Sequence, residues 1–540
     1  MSQTPPGWQA LCPFWPAELA ETYRKAGLWQ ARTFSDILDD LAATHDDRLA
    51  VIDGTRRFGY ADLRDRSLAL ACGLYRLGLR RGDRVIVQLP NCAEFIELCF
   101  ALFRLGVVPV LALPAHRDLE IGQFAAFSEA KACFIPASVE GFDMVAMAHR
   151  VQKATPSLRH IVVLGTDLDA LYQQDESPEW EAPDAEDVAC FQISGGTTGV
   201  PKLIPRRHME YIYNVRCAAR ASGFSQATRY LCALPMSHNF PMACPGFIGT
   251  LMSGGTVVIA SNPSPDTCFG LIAEHGVTVT ALVPPLVLLW LESVKAPLSL
   301  ELLQVGGAKL NPSTARRILP ELGCRLQQVL GMAEGLICYT GLDDPELRVI
   351  QTQGRPMSEW DELRVIRPDG TEAGPGQTGE LQVRGPYTIR GYFNRPDVDR
   401  ESFTPDGFYR SGDIVSRNED GYLTVEGRDK DQINCGGEKI GVDEVEDLLL
   451  YHPSVVDAAV VARPDARMGE CACAIVIPRD PRPSALSLRR HLRDAGLAGF
   501  KIPDEVIFVA SFPQTGVGKI NKRQLREMLR QEHFGGEVTA

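Results

Sequence analysis

The chain has 540 residues and a mass of 59.2 kDa, which at about 100–200 residues per domain suggests two to four folding units. With 45 % apolar and 23 % charged residues, it has the make-up of a globular protein that buries a large core without disulfides. The net charge of −13 excludes a general nucleic-acid binder, which needs a basic surface to displace counterions, yet leaves room for a local basic site that takes a small anion.

No segment reads as a membrane span. The most apolar stretch, from Phe95 to Pro114, is interrupted by Glu97, Arg104 and Pro109 and is too broken to cross a bilayer. The first basic residue is Arg24, so the start of the chain does not read as a signal or transit peptide. The 15 cysteines include no C-x-x-C pair and come closest at Cys471 and Cys473. They predict reduced, buried thiols of a cytoplasmic protein, without disulfides or zinc.

Strands and helices alternate in the first part. Leu63, Leu70, Leu74 and Leu77 repeat at helical spacing behind Asp62, read as an N-cap. Arg84 to Leu89 reads as a buried strand, Ala93 to Leu105 as a helix stopped by Gly106, and Val107 to Leu113 as the next strand. Such alternation predicts parallel sheet in an α/β fold. Apolar strand signals recur at His160–Leu164, Gly255–Ala260 and Val277–Val283, and Pro178 to Pro183 reads as a surface loop. Near residue 360 the style changes. Leu363–Ile366, Gly379–Arg384 and Gly421–Glu426 are short alternating strands between turn residues, predicting an antiparallel sheet or small barrel. A further unit from about Asp429 has helices at Val442–Leu450 and Asn521–Arg530 around strands at Ala458–Val461 and Ala472–Ile477.

The sharpest local signal is Ile193-Ser-Gly-Gly-Thr-Thr-Gly-Val-Pro-Lys202. Gly195, Gly196 and Gly199 let backbone N–H groups converge, Ser194, Thr197 and Thr198 add hydroxyls, and Lys202 adds charge, a set suited to polyphosphate. The spacing is not that of a Walker A loop, which excludes a P-loop kinase or ATPase. The loop resembles the signature of the acyl-adenylate-forming superfamily, which includes acyl-CoA synthetases, luciferases and the adenylation domains of peptide synthetases. Four further strings match that family in order: Gly331-Met-Ala-Glu-Gly335, Tyr409-Arg-Ser-Gly-Asp413, Gly427 to Ile440, and Pro513 to Ile520. The resemblance covers nearly the whole chain.

It implies an N-terminal adenylation domain over 1–428, with α/β sheet subdomains and a β-barrel-like subdomain at about 355–428, and a small mobile α+β C-terminal domain over 429–540. It implies ATP and Mg²⁺. A carboxylate attacks the α-phosphate, and a thiol then displaces AMP from the acyl-adenylate. Lys519 would bridge the two anions, Asp413 and Arg428 would hold the ribose, and Glu334 would hold the metal. Gly307, Ala308, Lys309, Gly331, Met332 and Ala333 would form the adenine slot. Lys430 would be the hinge about which the C-terminal domain turns, bringing the Gly436-Gly437 loop to a thiol tunnel.

Pro235-Met-Ser-His-Asn-Phe-Pro-Met-Ala-Cys-Pro-Gly246 and Gly331-Met-Ala-Glu-Gly-Leu336 resemble the subgroup that activates aryl acids for siderophore synthesis, the salicylate–AMP and 2,3-dihydroxybenzoate–AMP ligases. In that subgroup Asn239 would face the 2-hydroxyl and carboxylate, Phe240 would stack on the ring and His238 would support the wall near the acyl phosphate. Cys244, Gly306, Gly307, Leu336 and Ile337 would complete the pocket. Dihydroxybenzoate enzymes tend to have Ser at the place of Cys244 and Val at that of Ile337. Cys is a weak hydrogen bonder and Ile takes more room, so both departures favour salicylate. The alternatives are a 2,3-dihydroxybenzoate–AMP ligase and an aryl-CoA ligase using free coenzyme A; retention of Lys519 and Glu334 argues against a non-catalytic nucleotide-binding protein. No carrier motif is visible, so the acceptor is expected to be a phosphopantetheinylated aryl carrier protein on a separate chain. Residues 479–540 carry a net charge of +4, and Arg489, Arg490 and Arg493 there are candidates for docking it.

Overall fold

The computed structural model describes residues 7–45, 47–172, 178–194, 202–307, 309–310, 312–428, 432–513, 522–530 and 538–539. Two parallel-cored sheets dominate the first part. Among the described residues, the larger has nine strands. Its parallel core runs Arg325–Gly331, Leu302–Gly306, Val279–Leu282, Arg229–Cys232, Thr256–Ile259 and Leu49–Asp53. The second has six strands, parallel through Val108–Leu111, Arg84–Val87, Ala132–Ile135 and His160–Val163. It ends in the antiparallel pair Val188–Ser194 and Lys202–Arg207.

The helix Ala93–Leu105 ends, as its sequence predicts, where Gly106 adopts φ +65°, a left-handed conformation that costs glycine little. It is apolar all round because it is buried all round: Val85, Val87, Tyr230, Cys232 and Val257, from both sheets, join its side chains in one core. Glu97, which interrupts the apolar run, is buried and paired with Arg66 Nε at 2.6 Å. The helix Tyr60–Arg76 corrects one expectation. Asp62 lies inside it rather than at its cap, and reaches back to accept from the Gly59 N–H at 2.8 Å. All 15 cysteines are buried and free. No helix of the described residues is long and apolar enough to cross a membrane.

The β-rich segment is a four-stranded antiparallel sheet in the order Glu362–Ile366, Thr378–Arg384, Tyr409–Arg417, Leu423–Arg428. Beyond it a mixed sheet centred on Gly469–Pro478 carries the helices Val442–Leu450 and Ala485–Asp494 on one core. This last unit packs against the first part through a buried ion group. Lys501 Nζ lies 3.2 Å from Glu120 and 2.8 Å from Glu444, and the Ala498 N–H donates to Glu120 at 3.1 Å.

Candidate active site

A cavity of about 360 Å³ opens where the C-terminal ends of the large sheet meet the β-rich segment and the last unit. One wall is the short helix Asn239–Ala243. Its N-cap is His238, whose Nδ1 accepts from the Phe240 N–H at 3.2 Å. The proton of the neutral ring therefore sits on Nε2. Burial, with a contribution from Lys439, pushes the His238 pKa down to about 4, so the ring is neutral near pH 7. Asn239, Phe240 and Cys244 face the cavity from the same segment. Phe240 packs closely on residue 306 because it is glycine: a β-carbon there would stand 3.2 Å from the ring and 2.9 Å from the Val329 carbonyl oxygen.

Another part of the lining follows the strand Arg325–Gly331 into Met332, Ala333 and Glu334. Glu334 is buried, and its Oε1 accepts from Tyr392 Oη at 2.9 Å. Burial opposes its charge, but Lys439 and hydrogen bonds from Ser194 and Tyr392 outweigh that and hold its pKa below the ordinary value. Asp413 lines the cavity from Tyr409–Arg417, opposite Arg428 in strand register. Gly307 and Lys309 line it too; the Lys309 ammonium donates to the Val425 carbonyl at 2.8 Å. Ser194 ends its strand at the cavity, and Lys202 opens the paired strand, 5.5 Å from the Tyr392 ring centroid.

Leu336 and Ile337 are buried, and Ile337 pairs with Gly331 across adjacent antiparallel strands, where a β-carbon on Gly331 would stand 3.4 Å from its side chain. The cavity lining at Gly331 to Glu334 includes neither of them. Gly195, Gly196, Thr197, Thr198, Gly199, Ala308, Lys430 and Lys519, with the Arg428 side chain, lie outside the described residues.

The model for AMP-binding enzymes matches residues 38–393, and that for the AMP-binding enzyme C-terminal domain matches residues 444–519. The chain belongs to the AMP-binding enzyme family. It is 56 % identical over 530 residues to pyochelin synthase PchD of Pseudomonas aeruginosa strain UCBPP-PA14, covering 96 % of each chain. It is 50 % identical over 529 residues to the 2,3-dihydroxybenzoate-AMP ligase of Bacillus subtilis strain 168, covering 97 % of this chain and 98 % of that one. The apo structure of Mycobacterium smegmatis MbtA superposes with a TM-score of 0.76 at 44 % identity, covering 96 % of this chain and 99 % of that one.

This AMP-binding enzyme has a second, narrower cavity that shares Ser194, His238, Gly437 and Lys439 with the first. It runs between His116, Glu120 and Phe124 on one side and Glu438, Glu444 and Lys501 on the other. Gly437 reaches the heart of the site: a β-carbon on Gly307 would stand 3.4 Å from its Cα. Asn434 Nδ2 also donates to the Gly307 carbonyl.

Sequence reasoning assigned no role to Tyr392, Tyr211, Gln192 or Lys439. Lys439 lay inside a recognised string, and its charge was the available signal. The other three come from a strand (Gln192), a helix (Tyr211) and the loop before Pro396–Ser402 (Tyr392), and meet the site only in the folded chain.

Proposed function

We propose that this enzyme joins an aryl acid, salicylate in preference to 2,3-dihydroxybenzoate, to AMP. It then passes the acyl group to the phosphopantetheine thiol of a carrier protein on another chain, in the cytoplasm, as a step of siderophore biosynthesis. One observation carries the reading. A ring-sized group (Phe240, Asn239, Cys244) and a nucleotide-suited group (Glu334, Asp413, the small residues at 306–307 and 331–333) line one enclosure. The 50 % identity to a 2,3-dihydroxybenzoate-AMP ligase supports its aryl-acid part.

In this reading an acid oxygen attacks the α-phosphate and pyrophosphate leaves. Asp413 accepts from the ribose hydroxyls, for which a carboxylate is suited. His238, neutral with its N–H on Nε2, donates toward the acyl phosphate. Glu334 fits Mg²⁺ as a single ionised carboxylate on the cavity, with one oxygen steadied by Tyr392. Among the described residues no group of three or more His, Cys, Asp or Glu competes to cage an ion, which suits a cation that keeps waters and phosphate oxygens as ligands. When bound, the metal offsets the charge of the departing pyrophosphate. Lys519 approaches when the C-terminal domain, over 429–540, turns about Lys430. In the second half-reaction the thiol enters along the narrower cavity past Gly437, attacks the acyl carbon, and AMP leaves.

The test uses mass spectrometry with two acceptors and one variant. Thioester should form on a pantetheinylated carrier protein in preference to free coenzyme A. Lys519→Ala should lose adenylation by about 100-fold or more while still transferring preformed salicyl-AMP. Preferential formation of aryl-CoA, or near-normal adenylation by Lys519→Ala, contradicts the proposal.

A further inference from the structure

Asn239 stands on the cavity wall, and its amide is held one way round. Tyr211, on the helix His208–Ala221, donates from Oη to Asn239 Oδ1 at 2.6 Å. Gln192 Nε2 donates to the Tyr211 oxygen at 3.4 Å and lies 3.3 Å from Met242 Sδ. The phenol oxygen thus accepts from Gln192 and gives its own proton to Asn239. Burial raises the phenol's pKa well above the ordinary value, so that proton stays. The Arg206 guanidinium lies 4.1 Å from the ring centroid and is paired with Glu210 at 2.7 Å, which fixes the ring. At the other end of the amide, Nδ2 donates to Cys244 Sγ at 3.2 Å, and that thiol donates in turn to the Asn239 main-chain carbonyl at 3.5 Å. An amide nitrogen carries two hydrogens. One goes to Cys244, and the second remains for the cavity.

We propose that Tyr211 is a positioning residue that sets the polarity of the subsite for the ring's 2-position. With Oδ1 occupied, Asn239 shows the ligand an N–H. The site therefore takes acids whose ortho group accepts a hydrogen bond and rejects those whose ortho group donates. Salicylate fits, because its hydroxyl proton turns inward to its own carboxylate and leaves oxygen lone pairs outward. 2-Aminobenzoate does not: one N–H turns inward and the other meets the Asn239 N–H head-on. The inference rests on the aryl-acid reading above and adds to it the residue that fixes the sense of the amide.

The test is ATP–pyrophosphate exchange with salicylate and 2-aminobenzoate for the wild-type enzyme, Tyr211→Phe, Asn239→Ala and the double variant. Tyr211→Phe frees Oδ1 and lets the amide turn over. The salicylate-to-2-aminobenzoate ratio of kcat/KM should then shrink about ten-fold, through the KM of salicylate rather than kcat. In the Asn239→Ala background the same change should leave the ratio as it was. Gln192→Met keeps the phenol and removes its donor. It should move the ratio the same way by a smaller factor, and it decides the question if Tyr211→Phe folds poorly. Equal loss for both acids in Tyr211→Phe, or a ratio change that persists without Asn239, overturns the proposal. Absence of wild-type exchange with any 2-hydroxy acid would instead overturn the aryl-acid reading beneath it.

Discussion

Two buried residues, one lining the pocket and one apart from it, show how burial sets chemistry. Cys244 meets Asn239 through weak sulfur contacts, and burial pushes its thiol up to about 12, so it faces the cavity as a small apolar group. Cys244→Ser would place a stronger hydrogen bonder there. The ratio of kcat/KM for 2,3-dihydroxybenzoate to that for salicylate should rise about five- to ten-fold, the worth of one net hydrogen bond; an unchanged ratio in steady-state kinetics would count against the pocket assignment. Asp361 accepts from Tyr387 Oη, while its Oδ1 is buried without a partner. Burial raises its pKa to about 8, against a smaller opposing effect of the Tyr387 hydrogen bond. The unfolded carboxyl loses its proton near about 3.9. Between those values the folded state binds the extra proton, so this group lowers stability as pH rises. Asp361→Asn removes the effect. Relative to wild type it should gain up to about 1.4 kcal/mol per pH unit between pH 5 and pH 7, read from urea midpoints. A difference that stays flat with pH would refute the buried, protonated carboxyl.

At the scale of elements, the ion group of Glu120, Lys501 and Glu444 ties the helix Asp118–Ser128 to the last unit, in the pose that brings Gly437 to the site. Lys501→Met leaves two buried carboxylates without their cation, a costly state for a buried pair, and penalises this pose above others. Carrier acylation should fall about ten-fold or more while pyrophosphate exchange changes less than two-fold, both measured on the same preparation; parallel loss would show that the ion group serves folding alone. Elements of this kind were legible to different depths. The helix Ala93–Leu105 was readable end to end because its stop is a glycine. Strands read as Val277–Val283 form only over Val279–Leu282, since an apolar run marks burial whereas a ladder ends where its partner ends. The His238–Cys244 wall was readable because it is one contiguous string. The relay behind it, Gln192 to Tyr211 to Asn239, was not. Its members lie on a strand, a long helix and a short helix, and nothing in their spacing announces that they meet.

For the whole molecule, the charge of −13 is unevenly spread: residues 479–540 carry a net +4. Lys309 and Lys439 line the cavity together with Glu334, Asp413, Glu426 and Glu470, so both signs of charge face it. Of the three arginines considered for carrier docking, Arg489 donates to the Pro503 and Asp504 carbonyls, while Arg490 and Arg493 are exposed. Two parallel-cored sheets, a β-rich segment and a small mixed-sheet unit converge on one enclosure, and the account stands on what that enclosure activates. ATP–pyrophosphate exchange across salicylate, 2,3-dihydroxybenzoate and benzoate tests it most directly. The account predicts the highest kcat/KM for salicylate, a lower value for 2,3-dihydroxybenzoate and the lowest for benzoate. A higher value for 2,3-dihydroxybenzoate, or exchange indifferent to the 2-hydroxyl, would contradict it.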